Sequence, residues 1–258
     1  MHREMTDSWR LRCTHLVAHR GPRVVLSEIT LSIGSSECVS LVGPNGSGKT
    51  TLLLALAGLL PLASGTIRVR NVDLRAYSAL ERARFFAYIP QTIEHTPAFR
   101  VREVVAGGRF AHIAPLRPWS PADEAAVQDA LTRCGLETLA DRAFDSISGG
   151  ERQKTLIAAA IAQDAQMLFL DEPNTALDPA YQLDLVRILR GWHAAGRGLL
   201  LVSHDLQLPA ALGGRVIALR GGQVVADGPA EQVLAPETLG GVYGSRVVAP
   251  DPQFPSAK

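Results

Sequence analysis

Residues 43–51 read Gly43-Pro44-Asn45-Gly46-Ser47-Gly48-Lys49-Thr50-Thr51, a run that fits G-x-x-x-x-G-K-[ST]. Glycines at 43, 46 and 48 let the backbone turn tightly, so that consecutive N–H groups point at one phosphate chain. A helix starting just behind them adds its dipole. Lys49 offers a point charge to the β and γ phosphates. Thr50 offers a hydroxyl to Mg²⁺, a cation that prefers oxygen ligands and keeps several waters. The elements that must hold such a loop are present on either side. Residues 38–42 read as a buried strand, and residues 52–57 as an apolar helix stopped by Gly58 and Pro61. A glycine-rich turn that binds nothing is the competing reading. The strand–loop–helix context argues against it, and the stretch implies a nucleoside triphosphate site with Mg²⁺.

Two further constellations bear on the same chemistry. Residues 167–170 form an apolar strand that runs into Asp171 and Glu172. Behind a phosphate loop, the aspartate at such a strand end holds Mg²⁺, usually through water, and a following glutamate can poise the attacking water. The bland alternative is a helix N-cap, with Glu172-Pro173 starting the next helix. Ile147-Ser148-Gly149-Gly150-Glu151-Arg152-Gln153 opens a helix with a serine and two glycines, a second anion-binding geometry. Ser148 and Glu151 also have the spacing of a capping box.

The rest of the chain narrows the class. Its 258 residues are 47% hydrophobic and 20% charged, which suits a globular protein of one large or two small domains. The 26 basic and 25 acidic residues leave a net charge of +1. No run of like charge points to nucleic acid or to a polybasic membrane anchor. The longest apolar run, residues 52–60, ends at Pro61 and is far short of the roughly 18 to 20 residues needed to span a bilayer. The N-terminus has no apolar secretory core, so a cytosolic chain is expected. Cys13, Cys38 and Cys134 lack C-x-x-C spacing and read as small buried hydrophobes rather than a disulfide framework or zinc site.

Residues 10–17 and 24–33 alternate apolar and polar positions around the turn Arg20-Gly21-Pro22, a pattern of half-buried antiparallel strands. His15 and His19 stand four apart, which on a helix would resemble a metal pair. On a strand they share a side but lie far apart. Residues 65–70 return as a strand, and a helix from Ala79 feeds the strand 85–89, which ends at Pro90-Gln91. From about 92 to 146 the strand signals vanish. Residues 101–109 and 122–139 read as helices, the second with Ser120 as N-cap, Pro121 at the first position, and Asp123 and Glu124 complementing the dipole. Gly135 stands where a helix would end. This is a helical insertion into an α/β domain, reached through a connection stiffened by prolines 115, 118 and 121. A helix from Gly149 to Gln163, a helix from Pro179 to His193 and a strand over 199–202 follow. A hairpin of 216–220 and 223–226 turns on Gly221-Gly222. Short helix signals stand at 229–234 and 237–239, and the final residues 249–258 read as disordered.

Taken together, these motifs resemble the ATP-binding cassette family over about residues 11–244. Gly43 to Thr51 are similar to its Walker A, Gln91 to its Q-loop, and Ile147 to Gln153 to its signature. Phe169 to Glu172 are similar to its Walker B, Ala176-Leu177-Asp178 to its D-loop, and His204 to its switch histidine. The resemblance implies an α/β fold: one nucleotide-binding domain with a P-loop NTPase core, an antiparallel β subdomain (about 1–91 and 147–245, core included) and an inserted α-helical subdomain (about 92–146). It implies a head-to-tail homodimer closing on two ATP molecules, each held between the phosphate loop of one copy and Ser148, Gly149, Gly150 and Glu151 of the other, with Asp178 nearby. Glu172 would be the general base, His204 would link the γ-phosphate to the attacking water, and Gln91 would join Thr50 and Asp171 around Mg²⁺.

Finer features resemble the ATPases of type II importers for iron-siderophores, haem or cobalamin: Ile89-Pro90-Gln91, residues 101–109, 119–131, 181–190 and 203–212, and Val242-Tyr243-Gly244. Such a chain works with two permease subunits, whose coupling helices would dock between the Q-loop region and the helical insertion, and indirectly with an external substrate-binding protein. It would sit on the cytoplasmic face of the membrane. Arg20, or alternatively His19, stands where the family usually stacks an aromatic on adenine, and Ser203 precedes the switch histidine. A regulatory GTPase would need N-K-x-D, which is absent. A non-transport cassette ATPase or an exporter subunit would share the nucleotide motifs, but the non-transport proteins resemble long coiled-coil insertions or tandem cassettes.

Overall fold

The computed structural model describes residues 9–92, 98–113, 117–173 and 179–244. Asp178 with the rest of the 176–178 motif, Pro115 and the C-terminal stretch 249–258 lie outside the described residues.

Alternating burial produces the first sheet. β1 (Arg10–Arg20) pairs antiparallel with β2 (Arg23–Gly34) across the Gly21 turn, where φ is 59°. β1 also pairs with β4 (Ser64–Val69), which carries the short β5 (Val72–Asp73), giving the order β2-β1-β4-β5. The alternation slips near the middle of β1, where the register shifts and His15 and Glu28 adopt φ of 49° and 55°. Such a bulge re-aims the side chain at the extra residue. His15 Nδ1 thereby meets Glu28 Oε2 at 2.7 Å on the surface, not His19.

The second sheet has the order β10-β9-β3-β8-β7-β6. Its parallel part comprises β9 (Arg215–Arg220), β3 (Cys38–Val42), β8 (Gly198–Val202), β7 (Met167–Asp171) and β6 (Phe86–Ile89). β10 (Gln223–Pro229) closes one edge antiparallel through Gly221-Gly222, whose φ angles of 57° and 80° meet the demand of a two-residue turn. β3, β7 and β8 are buried at every position. That explains their continuous apolar runs: parallel strands covered on both faces have no solvent side to mark with polar residues. Because β3, β8, β7 and β6 are parallel, their C-terminal ends share one edge, where ligands of open α/β sheets bind. The segments leaving that edge begin with Gly43, Ser203, Glu172 and Pro90.

Helices α1 (Lys49–Leu56), α2 (Ala79–Phe85), α3 (Val101–Gly107), α4 (Pro121–Cys134), α5 (Gly149–Ala162), α6 (Pro179–Ala194), α7 (Gln207–Leu212), α8 (Ala230–Val233) and α9 (Pro236–Tyr243) complete the layers. Val101, Val105, Val127 and Leu131 of the insertion join Ile157, Leu168 and Leu199 in one apolar cluster, so the insertion packs onto α5 and through it onto the sheet. α4 starts as expected, with a Ser120–Asp123 capping box and Pro121 in its first turn. It stops at Cys134, a turn short of the expected Leu139: Gly135 takes φ 64° and returns its N–H to the Leu131 and Thr132 carbonyls, and residues 137–139 form a separate 3₁₀ turn. α3 likewise gives way to a 3₁₀ turn over 108–111 instead of running to Arg109. The three cysteines are buried thiols, and burial pushes Cys13 and Cys38 up to about 11 and Cys134 to about 12.

Candidate nucleotide-binding site

The loop between β3 and α1 folds as its glycines allow, with positive φ at Gly43, Gly46 and Gly48. Gly43 is constrained by space as well, because a Cβ there would stand 2.1 Å from the Leu219 carbonyl oxygen of β9. Ser47, Gly48 and Lys49 are buried, Pro44 and Thr51 are half-buried, and Asn45, Gly46 and Thr50 are exposed. Lys49 is folded back over the loop: its ammonium donates to the Gly43 carbonyl at 2.9 Å and the Pro44 carbonyl at 3.1 Å. Burial pushes the Lys49 ammonium below its ordinary range, against the opposing pull of Glu172 and Asp171. A phosphate chain reaching this loop therefore meets a cation held by two neutral carbonyls, which it can replace with a charged acceptor.

Across the loop, the Thr50 hydroxyl donates to Asp171 Oδ1 at 2.9 Å. These are hard oxygen donors, one neutral and one anionic, of the kind Mg²⁺ takes from a protein when phosphates and water complete its shell. Among the described residues no cluster of three or more His, Cys, Asp or Glu side chains is assembled to hold a metal alone. Asp171 is 4% exposed, and burial raises its carboxyl above the usual range, with the Thr50 hydrogen bond and Lys49 acting the other way and Glu172 adding to the rise. A folded-state value above the unfolded one means stability fully present below pH ~4 and lost as pH rises through the folded value. At neutral pH the ionised Asp171 is therefore a cost to the empty protein. Asp171→Asn is expected to raise the nucleotide-free Tm by roughly 2–4 °C while removing Mg²⁺-dependent hydrolysis. Thermal melts of the two proteins check this, and a lowered Tm would mean that the Thr50 and Lys49 contacts outweigh the desolvation.

Glu172 lies one residue beyond β7 with φ 47°, its N–H donating to the Val202 carbonyl at 3.0 Å. A side chain in the left-handed region is strained and persists where its surroundings impose it, a state common at functional sites. Here the strained turn places the carboxylate where Gln91 and His204 both meet it. Gln91 Nε2 donates to Glu172 Oε2 at 2.8 Å, and His204 Nδ1 lies 3.1 Å from the same oxygen. With a proton on each ring nitrogen, His204 donates from Nδ1 to Glu172 and presents its Nε2–H to a second acceptor. The turn that presents His204 is fixed by the fully buried Ser203, whose hydroxyl donates to the Asp205 carbonyl at 2.5 Å.

Lys49, Thr50 and Glu172 line one open cavity of about 620 Å³, and Asp171 stands behind Thr50. Gln91, Glu172 and His204 line it together with the phosphate loop and with Arg20, Arg23 and Val24 of the β1–β2 turn. Arg20 thus faces the same space as the loop, whereas His19 does not line it. A planar guanidinium can lie over a purine ring if its hydration is partly shed. Arg20→Ala is expected to weaken ATP affinity by less than tenfold, and Arg20→Tyr to restore or exceed it. Equilibrium titrations decide, and no change in either variant would place Arg20 outside the base site.

One expected site segment is not brought to this cavity. Ser148, Gly149 and Gly150 do not line it. They open α5 with the alternative reading fully realised: the Ser148 N–H and hydroxyl both donate to Glu151 Oε2 at 2.8 Å, and the Glu151 N–H donates back to Ser148 Oγ at 3.3 Å. Hydrogen bonds to Ser148 hold the Glu151 carboxyl below its usual range. Two groups that hold the phosphate loop were not legible as such in the sequence. Tyr243 accepts from the Gly43 N–H at 2.8 Å, and the Gly222 N–H donates to the Ser47 carbonyl at 3.1 Å. The Gly221-Gly222 turn and the Val242-Tyr243-Gly244 stretch are visible as sequence, but nothing in either names its partner some 200 residues away.

Comparison with known proteins agrees with this geometry. Residues 26–175 match the family described as ABC transporter. Over 237 residues the chain is 38% identical to the hemin import ATP-binding protein HmuV of Rhodococcus jostii (strain RHA1), covering 92% of this chain and 80% of that protein. It is 35% identical over 249 residues to the ferric enterobactin transport ATP-binding protein FepC of Escherichia coli (strain K12), covering 96% of this chain and 92% of that one. A solved structure of a metal-chelate type ABC transporter in an inward-facing conformation is similar with a TM-score of 0.78 at 26% identity, over 91% of this chain and 88% of that one.

Proposed function

Because the chain belongs to the ABC transporter family, we propose that it is the ATP-hydrolysing subunit of an importer, driving uptake of an iron chelate, haem or cobalamin through a separate permease. The observation that carries the ATPase reading is the meeting, in one cavity, of the phosphate loop with Glu172, Gln91 and His204, and with Asp171 hydrogen-bonded to Thr50. The importer and its cargo class are supported by the relatives, one an import protein for hemin and one a transport protein for ferric enterobactin.

In this reading Lys49 leaves its two loop carbonyls for the β and γ phosphates, and the backbone N–H groups of residues 46–50 cradle them. Thr50 and Asp171, with Gln91, would hold Mg²⁺, and the ion would supply positive charge for the phosphoryl group. Glu172 takes a proton from the attacking water while Gln91 and His204 fix its carboxylate, and His204 also reaches the γ-phosphate. The exposed Ser148 helix start serves a second copy of the chain, so each ATP lies between two copies and assembly completes the site. Asp178, one residue before α6, belongs with the same interface. The chain works as one nucleotide-binding domain with a helical subdomain over about 92–146. No described helix is long and apolar enough to cross a membrane. Two permease subunits provide the path, this chain docks on their cytoplasmic face, and an external binding protein delivers the cargo.

Reconstitution tests the proposal. Co-expressed with its cognate permease and placed in proteoliposomes, the chain should drive uptake of haem, a ferric siderophore or cobalamin when MgATP is on its own side. ATP-driven movement in the opposite direction, or hydrolysis that no permease stimulates, would count against it.

A further inference from the structure

We infer that Tyr243 is a positioning residue for nucleotide binding, one that sets the phosphate loop through the backbone of Gly43; the inference rests on the reading of that loop as the ATP site. Gly43 is the hinge between β3 and the loop, and all its hydrogen-bonding groups are engaged. Its carbonyl accepts from Lys49, and its N–H, which no neighbouring strand takes up, donates to the Tyr243 hydroxyl at 2.8 Å. The carbonyl of Leu219 stands on its third side, close enough to exclude any side chain. The Tyr243 bond holds the Val42–Gly43 peptide and the Lys49 bond holds the Gly43–Pro44 peptide, and of the two only the Tyr243 bond comes from a side chain that phosphate does not displace.

The far end of the loop is held by the same part of the chain. The Gly222 N–H donates to the Ser47 carbonyl, and the Gly222 carbonyl accepts from the Ser27 N–H of β2 at 2.9 Å. Residues 219–243 thus grip the loop at both ends. Tyr243 is itself anchored. Val242 and Leu239 of α9 pack with Val42, Val216 and Ala218, and Arg220 donates to the Gly241 carbonyl at 2.7 Å. The phenol is partly buried, and burial raises it above its ordinary range, so it stays a neutral hydroxyl under working conditions.

Removing the hydroxyl alone loosens the loop without emptying the apolar site. Tyr243→Phe is expected to raise the Kd of ATP and of ADP alike by roughly 3- to 10-fold, the worth of one hydrogen bond. It should raise KM to the same extent while changing kcat less than about twofold, since the bond acts on phosphate binding in ground state and transition state equally. The Gly43 amide proton should move upfield in the NMR spectrum of the full chain, as expected when its acceptor is lost. Val242→Ala serves as the structural comparator: it thins the packing under α9 and keeps the hydroxyl, so it should lower Tm more than Tyr243→Phe does but raise Kd less. If Val242→Ala raises Kd as much as Tyr243→Phe, or if Tyr243→Phe leaves both affinities at the wild-type value, Tyr243 is only a packing residue. A wild-type chain that binds neither nucleotide would instead overturn the reading of the site itself.

Discussion

Glu172→Gln slows ATP hydrolysis by roughly 10²- to 10⁴-fold, the usual worth of a general base, and leaves ATP bound. The amide keeps the shape of the carboxylate, so Gln91 and His204 still find a partner at position 172, but it takes no proton from water. Lys49, Thr50 and Asp171 are left intact, so affinity should change little. With hydrolysis blocked, two copies closed on two ATP molecules should persist, and gel filtration should show a dimer with ATP and a monomer with ADP. A Glu172→Gln chain that hydrolyses at the wild-type rate would remove Glu172 from the base role.

The second large effect is expected at Ser148, which does not line the cavity of its own chain. Ser148→Asp should lower hydrolysis by roughly 10²- to 10³-fold, the cost typical of losing one donor aimed at developing charge, with a carboxylate now facing the partner's γ-phosphate. The Kd of the isolated chain for ATP should stay at the wild-type value, because Ser148 does not line the cavity. Aspartate caps a helix as well as serine does, so α5 keeps its start, although Glu151 beside it adds some repulsion. Ser148→Asn, a neutral cap of similar size, reads out that cost separately. Position 150 is a poorer choice: a Cβ on Gly150 would stand 2.9 Å from the Tyr181 ring of α6, so any side chain there disturbs α5–α6 packing before it touches a nucleotide.

Much of this site could be read from the sequence because its parts are local. The phosphate loop, the strand running into Asp171 and Glu172, and the serine–glycine helix start each carry their chemistry within a few residues, and the parallel sheet brings their strand ends together. What could not be read depends on contacts between distant segments or on an exception to a periodic pattern. Tyr243 acts on Gly43 from 200 residues away in the chain. Lys49 rests on loop carbonyls, a state that depends on the loop's exact course. The bulge at His15 breaks an alternation that reads as uninterrupted, and α4 ends at Gly135 although apolar residues continue to Leu139. α7 contains Pro209, a residue that breaks helix interiors, but it stands in the first turn, where its missing N–H costs nothing.

The composite site is the centre of this account, and mixing two differently crippled chains tests it most directly. A Lys49→Ala chain and a Ser148→Asp chain, each carrying one member of a fluorescent donor–acceptor pair, are combined with MgATP. If each ATP lies between the phosphate loop of one copy and the Ser148 segment of the other, the mixed pair contains one site built from two intact halves. ATP should then produce energy transfer in the mixture, and none when donor-labelled and acceptor-labelled copies of the same variant are combined. If the mixture shows no ATP-dependent association under conditions where Glu172→Gln chains associate with one another, each copy builds its site by itself and the account is wrong.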